Sequence, residues 1–583
     1  MGNYVENYDL IVKKWEPVLV TPAEETKRGI YFLSNVDEDE NLVRTIYCYH
    51  HKKTNDDDPS GVIKNALSKV LVHYHPLAGR LVTTTADEGR LAVDCTGEGV
   101  LFVEAEANCS MGSIDFSKPD AETRGKLVYE IPGVKSIFQI PPLMIQNITK
   151  MGKIDNGKQN TEKVFQVKKG NPTLVPPAVD TNQGSVYFLS NVDDDLTIIR
   201  TLYCFKSGGQ EAGEVIKNAL SKALVHYYPL AGRLILSPEG GFAVNCTGEG
   251  VVFIEAEADC GLDDVDFSKP DKATRGKLAA FDAPDGMGNK FEIPLMAQVT
   301  KFKCGGFALG LAFSHFVADG ISAVEFINSW GETARGLPLS LPPFLDRTLL
   351  RARTPLRVEH HHSEYDTLPN ISSDLITGEE VVYRYIRFDQ DMICKIKNGR
   401  IITNNKCSSY EAIAAFVWKA RAKALMMSGD QLMRVLVVVN VRDKFEPRLP
   451  KGYFGNAIKY TAATCQARDL VDQPLSYVVG LVQEAIRRVN DEHLRSTIDY
   501  NEIRRAIRPL GFTYISSTWS GLAFGSTNFG WGEAISTGPV ELPVDEGILF
   551  LPRQEKGKMC MYAFMGLPVS AMGNFEELVR QIN

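Results

Sequence analysis

His315 and Asp319 are the two side chains in this sequence whose types and spacing best fit acid–base chemistry. An imidazole has an ordinary pKa of about 6.5, so a neutral histidine can take a proton from an alcohol that attacks a carbonyl. The residues alone leave two other interpretations open. A single histidine is often structural, and a His–Asp pair at this spacing could ligate a metal, although no third ligand is identifiable.

The elements around His315 place it at the end of a strand. Large apolar residues alternate with small ones over 305–314, which predicts a strand with one well-buried face. The apolar spacing after Gly320 predicts a helix. His315 therefore lies where a strand turns into a helix, a common place for catalytic groups on a rigid sheet. Asp319 precedes that helix, which favours a capping or other structural role over direct chemistry.

A second candidate segment, residues 527–533, carries glycines on both sides of an aromatic residue. Such glycines permit tight turns and close backbone approach, and a structural loop is the alternative. The run at 513–519 before it predicts a strand. Three histidines at 360–362 follow a stretch rich in proline and arginine, and we expect them in a solvated loop. Serine-hydrolase, P-loop and zinc-protease signatures are absent from the sequence.

The sequence repeats part of itself. Residues 62–80 read VIKNALSKVLVHYHPLAGR and residues 215–233 read VIKNALSKALVHYYPLAGR, which match at 17 of 19 positions. Shorter matches flank this pair on both sides. We call residues 1–150 copy one and the matching region that begins near residue 164 copy two. A period of about 150 residues is too long for a solenoid repeat, so it indicates a partial duplication or fusion.

Both copies mix helix and strand patterns. The apolar stripe over 62–74 predicts an amphipathic helix, and the β-branched runs at 43–49 and 199–205 predict strands. Copy one then runs into a polar stretch, residues 151–163, which predicts a linker. Copy two continues instead into the strand and turn that carry His315.

Composition and charge exclude several classes of function. The 583 residues carry 64 Lys and Arg against 72 Asp and Glu, so the net charge is −8, which argues against nucleic acid or an anionic membrane as partner. The sequence shows no signal-peptide pattern and no apolar run long enough to span a bilayer. With 11 scattered cysteines and no C-x-x-C pair, we expect a reduced, cytoplasmic protein.

The two candidate segments together resemble the plant BAHD acyltransferases. Residues 315–320, HFVADG, are similar to the H-x-x-x-D-G motif of that family, and residues 528–532, NFGWG, are similar to its D-F-G-W-G motif. The separation of about 210 residues also fits. The similarity covers residues 164–583 as one complete family member and residues 1–150 as a truncated second copy of its N-terminal part. Further segments, such as 449–456, are similar to a subgroup that acts on fatty acceptors.

The resemblance implies an α/β fold of mixed sheets with helices. It implies two chloramphenicol-acetyltransferase-like domains, at 164–345 and 381–583, joined by a crossover at 346–380. Residues 1–150 would be a partial duplicate of the first domain without an active site, followed by the linker at 151–163. A channel between the two domains would admit the acyl-CoA from one face and the acceptor from the other.

The resemblance also implies an activity, a CoA-dependent O-acyltransferase. The subgroup moves a hydroxycinnamoyl group, with feruloyl expected here, to the hydroxyl of an ω-hydroxy fatty acid or a fatty alcohol. His315 would act as the general base for direct attack on the thioester, with no acyl-enzyme. The acyl-CoA is a co-substrate, so no cofactor and no metal is implied. We expect a monomer whose partners are hydroxycinnamoyl-CoA and a hydroxylated small-molecule or lipid acceptor.

By the same resemblance, other residues support the site. Thr518 and Trp531 are candidates for supporting the oxyanion, and Arg442 matches the arginine that pairs with the aspartate of D-F-G-W-G. The residues expected to give structural support are Asp319, Gly320, Arg442, Asn528, Gly530 and Gly532.

Three features depart from the family pattern. Position 528 is Asn instead of Asp, so we expect Arg442 to lose its counter-charge, with some loss of stability or activity. Position 521 is Gly where shikimate-using members carry Arg, which argues against shikimate or quinate as acceptor. Copy one lacks the H-x-x-x-D strand and cannot form a second active site.

Two alternatives to this function stay open. The acceptor could be another alcohol. The chain could also be a non-catalytic relative in which copy one competes for the strands and helices that copy two needs, because near-identical tandem segments are prone to misassembly.

Overall fold

The computed structural model divides into two compact units, residues 1–162 and residues 163–583. The first unit contains copy one, and the second contains copy two with the rest of the chain. The residues that the structure describes are 12–32, 46, 59–83, 91–107, 126–129, 141–151, 165–181, 184–190, 192, 197–237, 241–280, 290–368, 381–398, 407–504, 513–542, 547–555 and 557–582.

The described residues of the first unit form two small sheets and a helix, α1 (Pro59–His73). Its strands are β1 (Val12–Lys14), β2 (Val18–Val20), β3 (Ile30–Phe32), β4 (Arg80–Thr83), β5 (Leu91–Asp94), β6 (Val100–Ala107) and β7 (Met144–Met151). One sheet has the order β1-β6-β2, with β7 parallel to β6, and the other has the order β3-β5-β4. A small core forms between α1 and the first sheet around Leu71 and Val100.

The second unit begins with the elements of copy two and continues past them. Its first strands are β8 (Val167–Lys169), β9 (Thr173–Val175), β10 (Val186–Phe188), β11 (Ile198–Phe205), β12 (Arg233–Leu236), β13 (Phe242–Asn245), β14 (Val251–Ala258), β15 (Leu295–Lys301) and β16 (Phe307–Ser314). Its first helices are α2 (Ala212–His226), α3 (Lys272–Gly276) and α4 (Gly320–Ala334). In the described residues, copy one repeats this order from β8 to β15, with α1 in the place of α2; the counterparts of β11 and α3 lie outside the described residues.

The remainder of the second unit supplies a second sheet and its helices. The strands are β17 (Val381–Phe388), β18 (Leu432–Asn440), β19 (Ile458–Gln466), β20 (Thr513–Thr518), β21 (Ser536–Pro539), β22 (Gly547–Glu555) and β23 (Lys558–Pro568). The helices are α5 (Gln390–Asn398), α6 (Ser409–Ala424), α7 (Ala467–Asp472), α8 (Leu475–Arg488), α9 (Asp491–Arg504) and α10 (Val569–Arg580). Within the described residues, no helix is both long and apolar enough to cross a membrane.

Two large sheets organise the second unit. The first has seven strands in the order β21-β11-β16-β15-β14-β8, with β9 also on β14, and the second has six in the order β17-β23-β22-β20-β18-β19. Strands β10, β13 and β12 form a smaller sheet. Every residue of β16 is buried, and β16 lies between two antiparallel neighbours, so the strand that leads to His315 is fixed on both edges.

One strand of the seven-stranded sheet comes from late in the chain. Strand β21 pairs antiparallel with β11, with Leu202 opposite Gly538. The boundary expected at residue 381 therefore does not separate the two sheets, because residues 536–539 complete the first one. The last fifty residues of the chain thus contribute to both sheets.

Helix α4 packs along helix α2 and covers one face of it. Trp330 donates its indole N–H to the Ile216 carbonyl over 2.8 Å, and the Tyr227 hydroxyl lies 3.0 Å from Ser329 Oγ. All four of these residues are buried. Burying a side chain of this size stabilises the fold by about 1.5–3 kcal/mol. The contacts hold α4, and with it the turn that carries His315, against the sheet.

Three of the elements predicted from local patterns are present in the structure. The helix predicted at 62–74 is α1, and the strands predicted at 199–205 and 513–519 are β11 and β20. The strand predicted at 43–49 lies outside the described residues apart from Ile46. The linker predicted at 151–163 lies outside them apart from Met151.

Candidate active site

His315 lies in the turn that follows β16, as its spacing predicted. Its backbone is held on both sides: the N–H donates to the Thr197 carbonyl (2.9 Å), and the carbonyl accepts from Asn456 Nδ2 (2.6 Å). Its Nδ1 atom is buried, and among the described residues it has no hydrogen-bond partner. The backbone at His315 is thus fixed by hydrogen bonds to two other segments of the chain.

His315 lines a pocket within the second unit. The other lining residues include Val192 from copy two and residues from the later part of the chain, between 365 and 501. The lining includes the polar residues Tyr365, Lys459 and Asn501 and apolar residues such as Phe445. A reactive group with polar and apolar walls around it is the usual composition of a small-molecule site. This pocket is therefore the candidate place for a substrate to reach His315.

Asp319 caps helix α4 and does not face the chemistry. Its carboxylate accepts from the backbone N–H of Ser322 (3.0 Å), which confirms the capping role. The two oxygens also receive Arg442, Nη1 at 2.8 Å and Nη2 at 2.9 Å, and the Ala457 N–H. Burial alone would raise the pKa of Asp319, but the Arg442 charge and these hydrogen bonds outweigh it and hold the pKa below its ordinary value.

This pairing corrects one expectation from the sequence. Arg442 was expected to lose its counter-charge because position 528 is Asn, but its guanidinium forms a two-pronged ion pair with Asp319. A bidentate Arg–carboxylate pair is the strongest form of this contact, and here it is buried. The same contacts argue against a metal ion held by His315 and Asp319. Both carboxylate oxygens of Asp319 already accept hydrogen bonds, so neither is free to ligate an ion.

Several residues that sequence reasoning missed complete the support of the turn. Ser322 Oγ accepts from the Gly455 N–H (3.0 Å), and buried Arg347 donates to the carbonyls of Val317 and Phe454. Asn456, which holds the His315 carbonyl, comes from the same 453–457 stretch. Segment 449–456 was noted above for its similarity to a subgroup of the family. The sequence alone could not show that this segment contacts the His315 turn.

The loop after β20 reaches the start of helix α4. A Cβ added to Gly320 would lie 2.9 Å from Leu522 Cδ1, so glycine permits this close approach. Thr518, at the end of β20, donates its hydroxyl to Ser520 Oγ (2.9 Å). Gly521 is open, because a Cβ there would meet no heavy atom within 4 Å. Thr518 therefore stays a candidate for oxyanion support, on a loop that borders the His315 turn.

The segment 528–532 forms the tight loop that its glycines predict. Gly530 and Gly532 have φ angles of +116° and +87°, a region that favours glycine. Asn528 Oδ1 accepts from the Gly530 N–H (2.8 Å), and its carbonyl packs so closely on helix α4 that a Cβ at Gly331 would lie 2.6 Å from it. The Phe529 ring meets Trp330 edge-on at 5.5 Å. The loop therefore packs against helix α4, which follows the His315 turn.

The structure contradicts the assignment of Trp531 to oxyanion support. The Trp531 ring packs 5.4 Å from Phe307 and so closely on Gly208 that a Cβ there would lie 2.5 Å from its Cδ2. Phe307 begins strand β16, whereas His315 follows its end. Seven residues of strand separate the two places, about 23 Å at roughly 3.3 Å per residue. Trp531 therefore supports the fold at the end of β16 that lies away from His315.

The expectation of a solvated loop at 360–362 is wrong for His362, which is buried. Its Nδ1 lies 3.3 Å from the Glu364 carboxylate, and its ring packs against His493. These three side chains could share a metal ion by distance alone. Lys459, however, already bonds to the Glu364 carboxylate, so the negative charge a cation would need is neutralised. We therefore read the cluster as a buried polar network.

Most of the chain is similar in sequence to known transferases. The Transferase family matches it over residues 10–153 and again over 165–581, so each copy matches separately. The chain is 49% identical to omega-hydroxypalmitate O-feruloyl transferase of Arabidopsis thaliana, over 75% of this chain and 98% of that protein. It is 45% identical to fatty alcohol:caffeoyl-CoA acyltransferase of the same plant, over 71% of this chain and 98% of that protein.

Solved structures agree on the fold. Vinorine synthase superposes with a TM-score of 0.57 at 22% identity, covering 70% of this chain and 96% of that structure. F. graminearum TRI101 complexed with coenzyme A and deoxynivalenol superposes with a TM-score of 0.54 at 14% identity, covering 67% and 97%. At these identities the likeness concerns the fold alone, and it confirms the mixed α/β architecture expected from the sequence.

Proposed function

The chain belongs to the Transferase family of BAHD acyltransferases, and we propose that it moves a hydroxycinnamoyl group, feruloyl above all, from its CoA thioester to a fatty acceptor. Transfer of an acyl group from CoA to a hydroxyl is the activity of the family's named relatives. Two relatives above 40% identity support the finer choice of an ω-hydroxy fatty acid or a fatty alcohol as acceptor. Their names specify a feruloyl or caffeoyl group as the group transferred and ω-hydroxypalmitate or a fatty alcohol as the acceptor.

The observation that carries the mechanism is the His315 ring at the border of the pocket with its backbone fixed on both sides. We assign the base to Nε2, because Nδ1 is buried. Nε2 takes the proton of the acceptor hydroxyl as its oxygen attacks the thioester carbonyl. The tetrahedral intermediate then expels the CoA thiolate, which receives the proton from the imidazolium, so the base is restored and an ester and free CoA result.

The oxyanion of that intermediate needs a hydrogen-bond donor, worth about 3–4 kcal/mol in comparable sites. Thr518 is the candidate, because its loop borders the start of helix α4 through Leu522. Its hydroxyl, which donates a hydrogen bond to Ser520 Oγ in the structure, would donate to the oxyanion instead. The acyl group arrives activated as a thioester, so this scheme needs a base, a donor and the exclusion of water.

The choice of acceptor rests in part on Gly521. Shikimate-using members of the family carry Arg at this position for the acceptor carboxylate. Here the position has no side chain and opens into free space. A long apolar acceptor has no carboxylate at its reacting end and needs no cation there. Monomeric state and cytoplasmic location stay predictions from the sequence.

The test is the release of free CoA thiol by the full-length protein. Feruloyl-CoA and caffeoyl-CoA are each offered with ω-hydroxypalmitate, hexadecanol or shikimate. We expect release with the fatty acceptors only. His315→Ala should lower kcat by about 10³-fold, whereas His361→Ala, on an exposed side chain outside the pocket, should leave it unchanged.

The other outcomes separate the alternatives. Turnover of shikimate would overturn the proposed acceptor class, and an active His315→Ala variant would overturn the base. A folded protein that releases thiol from neither donor would favour the non-catalytic alternative. Residues 163–583 expressed alone would then show whether the first unit is the cause.

A further inference from the structure

Helix α1 of the first unit exposes an apolar face that its near-identical counterpart α2 buries. Ile63 is 38% exposed and Tyr74 is 62% exposed, whereas their counterparts Ile216 and Tyr227 are 0% and 1% exposed. Val70 and Leu77 on α1 and in the turn after it repeat this contrast with buried Ala223 and Leu230. Since the two sequences match at 17 of 19 positions, the difference comes from what covers the helix.

In copy two, helix α4 packs on the apolar face of α2 and buries it. Its Trp330 bonds to the Ile216 carbonyl, and its Ser329 lies 3.0 Å from the Tyr227 hydroxyl. Phe326 of the same helix meets the Tyr227 ring at 5.0 Å. Ile63 and Tyr74 hold the corresponding positions on α1. The exposed face therefore has the residues that α4 recognises.

Among the described residues, the sheet of the first unit ends at β7, where the sheet of copy two continues to β16. Strand β15 pairs with β14 on one side and β16 on the other. Its counterpart β7 pairs in parallel with β6, and the described residues provide it with no second neighbour. An unpaired strand edge beside an uncovered apolar helix is a place where another chain can add a strand and a helix.

We propose that the first unit is a binding site for the strand–helix segment Phe307–Ala334 of a second copy of this chain. Strand β16 of that copy would lie along β7, and its helix α4 would cover α1. The contacts with Ile216 and Tyr227 would be replaced by equivalent contacts with Ile63 and Tyr74. Exchange of an identical element between chains is a low-cost route to association, because the segment makes the same interactions at its new position.

Each chain has two such binding sites and one segment to fill them, so the two sites compete. From residue 62 to the end of α1, the two helices differ only at Val70, where copy two has Ala223, and Ala223 is fully buried. Two extra methyl groups at a close-packed position disfavour docking. The first unit is therefore the weaker site, and we expect the segment to remain in copy two except at high protein concentration.

The experiment is photo-crosslinking between two full-length chains. One chain carries p-benzoylphenylalanine at position 74 with natural isotopes, and the other is the unsubstituted chain labelled with nitrogen-15. The two are mixed over a range of concentrations, irradiated, digested and analysed by mass spectrometry. We expect crosslinks from position 74 to labelled peptides from 307–334, and their yield should rise with concentration.

Other products would overturn the proposal. Crosslinks to labelled peptides from 59–78 would mean that the exposed helix face covers itself in a dimer. Crosslinks to unlabelled peptides alone would mean that no second copy reaches the face. A monomer in sedimentation at every concentration, without crosslinks, would mean that the site stays empty.

Matched variants sharpen the result. Val70→Ala makes the helix equal to copy two at this position and should raise the association constant about tenfold, which corresponds to about 1.4 kcal/mol. Ile63→Asp places a charge in the contact and should remove association. A photoprobe at Leu19 is the control, because Leu19 and its counterpart Leu174 are both exposed, and it should give no crosslinks to 307–334.

Discussion

Helices α1 and α2 share nearly one sequence and have different surroundings. Both span 15 residues and both are followed by a short 3-10 turn that contains a proline. The apolar stripe of α2 is buried under α4, and the same stripe of α1 faces solvent in part. The comparison teaches that sequence determined the helix, while burial depended on a segment that only copy two possesses.

That segment, β16 and α4, also carries the chemistry. It contributes His315 at the strand end and Asp319 at the helix cap, and the two features are inseparable from the packing on α2. The first unit keeps strands, helix and turn without it. An architecture repeated in outline therefore does not repeat a function when the repeat stops before the functional strand.

The largest expected effect comes from breaking the buried ion pair of the second unit. Arg442→Ala leaves the Asp319 carboxylate buried without its partner, so we expect a loss of about 3–5 kcal/mol in the free energy of unfolding, and activity with it. The matched change is Lys64→Ala, which removes the half-exposed Lys64–Glu104 pair of the first unit. We expect under about 0.5 kcal/mol there. Equal shifts in the urea midpoints would contradict the contrast.

The comparison can be tested at equivalent positions of the two helices. Tyr227→Ala removes a buried ring and the partner of Ser329, and we expect it to cost about 3 kcal/mol. Tyr74→Ala removes an exposed ring and should change stability by less than about 0.5 kcal/mol. Thermal unfolding of both variants measures the difference. A cost of Tyr74→Ala comparable to that of Tyr227→Ala would mean that α1 is covered in solution.

Acid should weaken the second unit through a buried histidine. Burial, helped by the charge of Lys459, lowers the pKa of His493 to about 4, below its ordinary 6.5. The unfolded state then binds the proton more readily, so stability is fully present above pH 6.5 and falls as the pH drops towards 4. We expect a loss of about 2–3 kcal/mol over that window. Urea unfolding of His493→Gln should show a flatter pH dependence, and an unchanged slope would refute the assignment.

The smallest effect is expected at the position that departs from the family motif. Asn528→Asp keeps the oxygen that accepts from the Gly530 N–H, and Arg442 is already paired with Asp319. Stability should change by less than about 0.5 kcal/mol, in line with a substitution that creates no new buried pair, and kcat by less than about twofold. A large gain in either quantity would show that the family's aspartate does more here than hold the loop.

Local signals explain what the sequence predicted well. Alternation over 305–314 and the apolar spacing after Gly320 lie within single elements, and the structure has β16 and α4 there. The cap at Asp319 is local too. Glycines at 530 and 532 predicted a tight loop because φ is a property of one residue. These features need no knowledge of distant contacts.

Long-range packing explains what the sequence could not predict. The partner of Arg442 is 123 residues away in the chain, and only the folded arrangement brings it to Asp319. Trp531 is two residues from Phe529, yet its place at the far end of β16 follows from contacts with Gly208 and Phe307. His362 is buried because Glu364 and His493 form a network with it. No short pattern encodes these choices.

Because β21 comes late in the chain, the seven-stranded sheet can be completed only late in synthesis. Strand β11 gains its second neighbour only from residues 536–539, whereas β16 is complete at residue 314. Ribosomes add about 5–20 residues per second. The 539 − 314 = 225 residues between those points therefore take roughly 11–45 s. Throughout that interval the nascent sheet carries an open edge, so its completion waits for the last part of the message to be read.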